Sequence, residues 1–113
     1  MRAGGQSVTG EFVLMGNGRF YGGPVSAFPQ ANLRDGILDI CILPRLSWWT
    51  LMRCMPGLLT NRKPAAGIAQ FIQAAHFDLA GEPRTAFELD GEWVGHLPAS
   101  FSVERERLRV VIP

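Results

Sequence analysis

Residues 86–94 read AFELDGEWV, and this stretch decides the type of fold. Two short runs of strand-forming residues flank Asp90 and Gly91, which are residue types that tolerate the positive φ angles of a two-residue hairpin turn. The pattern therefore predicts a β-hairpin in which Asp90 and Gly91 form the turn and Glu92 opens the return strand.

Short strands are also predicted on both sides of this hairpin. The 13 glycines and 8 prolines are scattered along the chain, as in domains built from many short strands and tight turns. Asn-Gly at 17–18 and Asp-Gly at 35–36 are two further turn signals of the same kind. The predicted strands are residues 10–16, 37–43, 69–79, 85–89, 92–97, 99–103 and 107–112.

The candidate strand 69–79 shows the alternation of apolar and polar residues that is typical of a half-buried strand. One phase is apolar apart from Gln73, and the other phase carries His76 and Asp78. Because successive side chains of a strand point to opposite faces, the first phase is predicted to face the core. Its apolar members are Phe71, Ala75, Phe77 and Leu79.

One segment, at about 47–60, has helical periodicity instead. Ser47 precedes it as a candidate N-cap, and Pro56 is expected to kink the helix or make it end and restart. The predicted fold class is therefore mainly β: a two-sheet antiparallel β-sandwich with one inserted α-helix. The apolar residues at helical spacing are Trp48, Leu51, Met52, Met55 and Leu59.

Two explanations of this apolar stripe remain open. The first is ordinary packing against the core. The second is contact with a lipid or a membrane surface, because the adjacent Trp48 and Trp49 cannot both point inward and amphipathic rings favour the interface.

Composition sets the class of protein. The 113 residues are 47% apolar and 19% charged, which indicates one globular domain spanning 1–113. The formal net charge of +1 gives no electrostatic reason to expect nucleic acid as a partner. No apolar run approaches the roughly 18–20 residues that span a bilayer, and no signal peptide is recognisable, so a cytoplasmic location is expected.

The cysteines and histidines show no metal-binding or redox spacing. Cys41 and Cys54 form neither a CxxC pair nor a disulfide framework, so they are predicted to be reduced, buried thiols. His76 and His96 are isolated from other metal-ligating residue types and are predicted to be structural.

The glycine-rich stretch MGNGRFYGGP, residues 15–24, is not a nucleotide loop. Gly16 and Gly18 begin a GxGxxG match, but Tyr21 stands where the third glycine is needed. The chain has neither a Walker loop nor the GxSxG of hydrolases. The stretch is predicted to be a strand end, a turn and a place of close backbone approach.

The order of these motifs resembles a known family. GNGRFYGGP, FPQANLRDGILDICIL, a helix and FELDGEWVGHLPASFSV follow one another as in the C-terminal domain of bacterial diacylglycerol and lipid kinases. That family includes sphingosine and ceramide kinases and is distantly similar to NAD kinases. The likeness runs from about Gly10 to Pro113, although Pro24 stands where the family often has a third glycine.

The resemblance implies a division of labour between two domains. In the family an N-terminal domain with a Gly-Gly-Asp-Gly loop binds ATP, and the C-terminal β-sandwich supplies the lipid side of the cleft. This sequence contains no Gly-Gly-Asp-Gly. The expectation is therefore a C-terminal domain without its nucleotide-binding domain, which would be needed in cis or in trans for activity.

The resemblance also implies a catalytic pair. Glu92 becomes the candidate general base that takes the proton from the lipid hydroxyl, and Asp90 is its neighbour. If the backbone there is extended, the two carboxylates point the same way and their repulsion favours a proton on one of them. If Asp90 sits in the turn, its expected role is to cap that turn or to reach a magnesium-bound water.

A magnesium site is implied in the loop NLRDGI. The ligands would be the Asp35 carboxylate and the main-chain carbonyls of Asn32 and Ile37. One carboxylate, backbone carbonyls and retained waters suit a hard cation. ATP, the second cofactor, would be bound mainly by the N-terminal domain.

Two hypotheses of function follow. The first is the lipid-substrate half of an ATP-dependent lipid kinase in phospholipid metabolism, which acts on a diacylglycerol-like or sphingoid lipid. Peripheral membrane contact through Trp48 and Trp49 and a homodimer are further expectations. The alternative is a non-catalytic, stand-alone β-sandwich that binds a lipid or a protein partner.

Overall fold

The computed structural model describes residues 1–3, 5–20, 25–60, 62 and 67–104. This part of the chain is mainly β, with one helix, as predicted. The predicted strand at 107–112 and the position of Pro24 lie outside the described residues. The elements are β1 Arg2–Ala3, β2 Gln6–Ser7, β3 Phe12–Gly16, β4 Leu38–Leu43, α1 Trp48–Leu59, β5 Gln70–Ala74, β6 His76–Leu79, β7 Ala86–Leu89, β8 Glu92–His96 and β9 Ala99–Ser102.

The strands form two sheets and a separate hairpin, and every pair is antiparallel. One sheet has the order β2-β1-β6-β9 and the other has the order β3-β4-β5. The hairpin consists of β7 and β8. This arrangement is that of a β-sandwich-like domain.

The main core lies where the two sheets meet. Ile40 and Ile42 of β4 are completely or almost completely buried there, and Phe77 of β6 joins them. The ring of Phe77 stacks on Phe101 of β9 with 5.2 Å between centroids. Stacking and burial together make these side chains the centre of the fold.

A second, smaller core covers the opposite face of β4. Cys41 and Phe71 pack there against the segment that connects β3 to β4. That segment contributes three buried residues, which are Ala27, Phe28 and Ala31. Strand β4 is therefore covered on both faces, and its near-continuous apolar sequence is typical of such a strand.

The predicted single strand at 69–79 is two strands. The chain bends at Ala75, so that β5 belongs to the three-stranded sheet and β6 to the four-stranded sheet. Ile72 and Phe77 consequently both face the main core, whereas Phe71 faces the second core. The predicted common phase of Phe71 and Phe77 is wrong because the bend shifts the alternation by one residue.

The polar phase of β6 is exposed, as predicted. Asp78 accepts a 2.6 Å hydrogen bond from the Ser100 hydroxyl of β9 and lies 3.3 Å from His76 Nε2. The Ser100 hydrogen bond, helped by His76, holds the pKa of Asp78 below its usual value. His76 thus belongs to an exposed pair of side chains on the sheet, and its structural role stays a prediction.

Helix α1 begins where the sequence indicates. Ser47 is the N-cap, and its hydroxyl accepts a 3.2 Å hydrogen bond from the Thr50 amide. The helix continues through Pro56 to Leu59, so the predicted end and restart is wrong. Pro56 removes one amide donor, but its carbonyl still accepts the Thr60 amide at 3.0 Å.

The apolar stripe of α1 faces away from the protein. Cys54 is only 7% exposed, whereas Trp48 and Trp49 are 70% and 77% exposed. Packing of the stripe against the core, one of the two explanations above, is therefore wrong. The other exposed apolar side chains of the helix are Leu51, Met52, Met55 and Leu59.

Both cysteines are free thiols, and their predicted reduced state is that of the structure. Cys54 is buried and Cys41 is half-buried. Burial, followed by the charge of Cys54, raises the pKa of Cys41 to about 11. Burial also raises the pKa of Cys54.

Truncation of Phe77 should destabilise the domain strongly. We expect Phe77→Ala to lower the free energy of unfolding by about 3–5 kcal/mol, because it leaves a cavity among buried neighbours. Phe20→Ala is the matched control, since Phe20 is 65% exposed, and should cost less than about 0.5 kcal/mol. Urea unfolding followed by circular dichroism measures both, and equal losses would contradict the assignment of the core.

The thiols should react slowly in the folded protein. With a pKa of about 11, only about one Cys41 thiol in a thousand is a thiolate at pH 8. We expect an aromatic disulfide reagent to label the folded chain at least about tenfold more slowly than the urea-unfolded chain. The difference should shrink as the pH rises towards 11. Cys54→Ser and Cys41→Ser assign each rate, and equal rates before and after unfolding would count against the burial.

Candidate functional site

The turn of the β7–β8 hairpin has the predicted geometry. Asp90 has φ 51° and Gly91 has φ 84°, which are the two positive angles of a primed two-residue turn. Leu89 and Glu92 face each other as the first pair beyond this turn. The predicted hairpin, with Glu92 as the first residue of its return strand, is confirmed.

The hairpin contains a β-bulge that the sequence does not reveal. Glu88 pairs with Trp93 and Phe87 pairs with Gly95, which leaves Val94 as one extra residue in β8. Trp93 consequently lies on the same face as His96, and their rings meet edge to face at 5.6 Å. Regular alternation would have placed these two rings on opposite faces.

Glu92 lies on the other face of the hairpin. By register it shares that face with Leu89 and with Phe87, whose ring meets Phe101 of β9 edge to face at 5.5 Å. Phe87 thus holds the hairpin on the four-stranded sheet, while Glu92 is exposed at the tip. Because Asp90 is in the turn, the alternative with an extended backbone and parallel carboxylates is wrong.

A groove of about 870 Å³ lies between β3 and the hairpin. This volume is within the range of small-molecule binding sites, which runs from about 300 to 1,000 Å³. The residue beside Glu92, Trp93, lines it from the hairpin side. Its apolar lining includes Met1, Val8, Met15, Phe87 and Leu97.

The predicted metal loop is organised by its own hydrogen bonds. The Asp35 amide donates to the Asn32 carbonyl at 3.3 Å, and the Ile37 amide donates to Asp35 Oδ1 at 2.9 Å. Gly36 has φ 69°, which turns the chain between them. The three residues predicted as ligands therefore lie in one tight turn, with Asp35 half-buried.

Among the described residues, three or more His, Cys, Asp or Glu side chains nowhere come together as a metal cluster. A cation at Asp35 would thus depend on main-chain oxygens and water besides this carboxylate. The carboxylate has Oδ2 left for a ligand, since Oδ1 accepts the Ile37 amide. Hard oxygen donors of this kind fit Mg²⁺, which takes few protein ligands.

Two arginines beside this loop were not identified from the sequence. Arg19 and Arg34 line an open pocket of about 310 Å³ together with Asn32. Arg19 Nε donates to the Pro29 carbonyl at 2.8 Å, which fixes its side chain across the connecting segment. Arg19 directly follows the Asn-Gly turn signal at 17–18, and Arg34 directly precedes the Asp-Gly turn signal at 35–36. These positions next to turn signals were the available sequence evidence for the two arginines.

Two buried oxygen atoms, one directly after β3 and one near the start of β4, were also not predicted from the sequence. Within the described part of the chain, Asn17 Oδ1 and Asp39 Oδ2 are buried without a hydrogen-bond partner. The other carboxylate oxygen, Asp39 Oδ1, accepts a 2.9 Å bond from Gln73 Nε2. Asp39 stands opposite Gly16, the residue before Asn17.

The glycine-rich stretch ends a strand, as predicted, since β3 ends at Gly16. A Cβ atom at Gly16 would lie 2.8 Å from the Phe28 ring. The group that closely approaches this glycine is therefore an aromatic side chain. Neither Asn17 nor Gly18 has a positive φ, and the predicted primed turn is wrong at this position. The reason is that β3 is not followed directly by its neighbouring strand β4, because the connecting segment first packs over one face of β4.

Comparison with known proteins agrees with this architecture. The family model described as YegS C-terminal NAD kinase beta sandwich-like domain matches residues 3–112. The chain belongs to this family, and it is a C-terminal domain of the lipid kinase type.

Two curated relatives carry the name Probable lipid kinase YegS-like. The protein from Xanthomonas axonopodis pv. citri (strain 306) is 33% identical over 87 residues, which cover 74% of this chain and 28% of the relative. The protein from Xanthomonas campestris pv. campestris (strain 8004) is 33% identical over 110 residues, which cover 92% and 35%. The chain thus spans about a third of the length of these relatives.

Of the helical residues that the structure describes, none belong to a helix with the length and hydropathy needed to cross a bilayer.

Proposed function

We propose that this chain forms the lipid side of an ATP-dependent lipid kinase and that Glu92 is its general base. The observation that carries the proposal is the position of Glu92. It is exposed at the tip of the β7–β8 hairpin, directly before Trp93, which lines a groove with a largely apolar lining. Because the chain belongs to a lipid kinase family, we infer that this carboxylate accepts a proton during phosphoryl transfer.

The proposed reaction transfers the γ-phosphoryl group of ATP to a lipid hydroxyl. The hydroxyl oxygen forms a bond to the γ-phosphorus, the bond from that phosphorus to the bridging oxygen breaks, and ADP leaves. The hydroxyl proton passes to the Glu92 carboxylate. A positioned base is sufficient here because phosphoryl transfer depends mainly on orientation and on neutralisation of charge.

The groove would hold the apolar part of the substrate. Its lining by Met15, Phe87 and Trp93 suits an acyl or alkyl chain, whose burial is favourable by about 0.8 kcal/mol for each CH₂ group. We propose a diacylglycerol-like or sphingoid lipid, with its hydroxyl at Glu92. Asp90 would act as a positioning residue, since the turn that it forms determines where Glu92 stands.

The loop of Asn32, Asp35 and Ile37 would hold Mg²⁺ through one carboxylate and two main-chain carbonyls. When bound, this cation would add positive charge that favours the negatively charged phosphate groups. Arg19 and Arg34 are cationic side chains beside the same loop and would contribute in the same sense. ATP itself would be bound by a nucleotide-binding domain.

The role of Glu92 can be tested in a chimera. This chain would replace the matching segment of the Xanthomonas campestris relative, and transfer of labelled phosphate from ATP to diacylglycerol or sphingosine in mixed micelles would be measured. We expect Glu92→Gln to lower kcat by about 100- to 10,000-fold, because the base is lost without a change in shape.

Asp78→Asn is the matched control, since it removes an exposed carboxylate from β6 of the four-stranded sheet and not from the hairpin. Its kcat should stay within about twofold of the parent chimera. Equal activities of the Glu92→Gln chimera and the parent would refute the role as base. An inactive parent chimera that still binds lipid would favour the non-catalytic alternative.

Magnesium binding is tested separately on the chain alone. Asp35→Asn keeps an oxygen acceptor for the Ile37 amide but removes the charge, so the turn should persist. We expect MgCl₂ to raise the Tm of the parent, because a ligand at 100 times its Kd stabilises by about 2.7 kcal/mol. The Asp35→Asn variant should show no such rise, whereas Asp78→Asn should behave like the parent. The same rise in Asp35→Asn would exclude this site.

A further inference from the structure

We propose that α1 docks on the surface of an anionic lipid bilayer, with its apolar face among the lipids and the neighbouring arginines on the headgroups. The proposal concerns a surface apart from Glu92 and the groove. It rests on the proposed function only in that a lipid kinase must meet its substrate at a bilayer.

An ordinary surface helix packs its apolar face on the protein, whereas the apolar face of α1 is exposed to solvent. Successive residues turn by about 100°, which places five of the exposed apolar side chains within an arc about 100° wide. Cys54 lies outside this arc and faces the protein, and it is flanked there by half-buried Thr50 and Gly57. The apolar arc that faces solvent consists of Trp48, Leu51, Met52, Met55 and Leu59.

This exposed face is too large to be an accident of composition. Scattered exposed apolar residues are normal, but five exposed apolar side chains on one helix face, with exposed Trp49 beside them, mark an interaction surface. Trp48 and Trp49 are suited to the headgroup level, where a ring has an apolar body and a polar N–H. At 12 residues the helix has the length to lie in the interface but not to cross the bilayer.

Charge identifies the partner as anionic. From residue 40 to residue 77 the sequence contains no Asp and no Glu. The same stretch contains four basic residues, whereas the remainder of the chain is net negative. Arg45, Arg53 and Arg62, before, within and after α1, are exposed. Basic groups beside an apolar face match the negative surface potential of a membrane leaflet.

A protein partner explains these observations less well. Tryptophan, methionine and arginine also occur in protein interfaces, but such interfaces place charges of both signs in complementary positions. The exposed charges of the segment that carries α1 are positive, and the one acidic side chain recorded against this segment, Glu11, is held at its start by the Leu46 amide at 2.7 Å. A bilayer that contains anionic lipids provides both the apolar layer and the uniform negative charge that this face would meet.

The test is vesicle co-sedimentation of the chain in the absence of nucleotide. The vesicles are phosphatidylcholine alone, or equal parts of phosphatidylglycerol and phosphatidylcholine. We expect binding to the mixed vesicles, little binding to phosphatidylcholine alone, and weaker binding at high salt because salt screens the surface charge.

Variants of α1 assign the binding to this face. The double variant Trp48→Ser, Trp49→Ser should bind mixed vesicles at least about tenfold more weakly, whereas the control Phe20→Ser, at another exposed ring, should bind like the parent. Arg53→Gln should lose about fivefold in affinity. Arg84→Gln, which changes an exposed arginine in the connection between β6 and β7, should lose less than about twofold.

A spectroscopic readout reports on the helix directly. The chain has three tryptophans, so Trp93→Phe leaves only the two on α1. We expect their emission to shift to shorter wavelength when mixed vesicles are added, and brominated lipids to quench it. A shift without vesicles at rising protein concentration, together with a dimer in sedimentation equilibrium, would overturn the proposal in favour of a second copy as partner.

Two further results would also overturn it: no binding to mixed vesicles, or binding that the tryptophan and Arg53 variants leave unchanged. These results are independent of the chimera assay. Loss of phosphoryl transfer in Glu92→Gln with intact vesicle binding would support both proposals. An inactive parent chimera that binds vesicles through α1 would contradict the proposed function alone.

Discussion

Burial of β4 on both faces is the constraint on which the rest of the structure depends. Ile40 and Ile42 are covered by the four-stranded sheet, and Cys41 between them is covered by the segment around Phe28. A strand with apolar residues in both phases cannot leave either face to water without exposing a large apolar area. The segment between β3 and β4 must therefore be long enough to pass over the sheet.

This constraint explains why the metal loop and the arginine pocket stand where they do. The covering segment contains Phe28 and ends in the turn of Asn32 and Asp35 that leads into β4. Its backbone is fixed by the need to cover the sheet, and the polar groups at its end are thereby held in place. In this domain the second core and the candidate cation site depend on the same segment.

The sequence predicted local features well and long-range placement poorly. The Asp90-Gly91 turn and the start of α1 at Ser47 depend on residues next to each other, so their chemistry is visible in the sequence. The change of sheet at Ala75 depends on which partner strands are available to each half. The alternation of apolar and polar residues could not predict this change of sheet, because it contains no information about which strand lies next to each half.

The same limit applied to the helix and to the candidate site. Periodicity identified an apolar stripe on α1, but periodicity does not say whether the stripe faces inward or outward. The motifs pointed to Glu92 and Asp35, whereas Arg19 and Arg34 became relevant only once the covering segment brought them to Asn32. Residues that act through distant contacts leave little trace in a single sequence.

The extra residue in β8 makes the hairpin sensitive to length rather than to side-chain identity. Val94 is 49% exposed and opposite no residue of β7, so many side chains should be accommodated there. Its removal is different, since a strand one residue shorter cannot keep both the tight turn and the pairing of Phe87 with Gly95. Either the Glu92 end or the ring contact with Phe101 would have to shift. Relatives that share this site are thus expected to vary in residue type at this position and to preserve the number of residues.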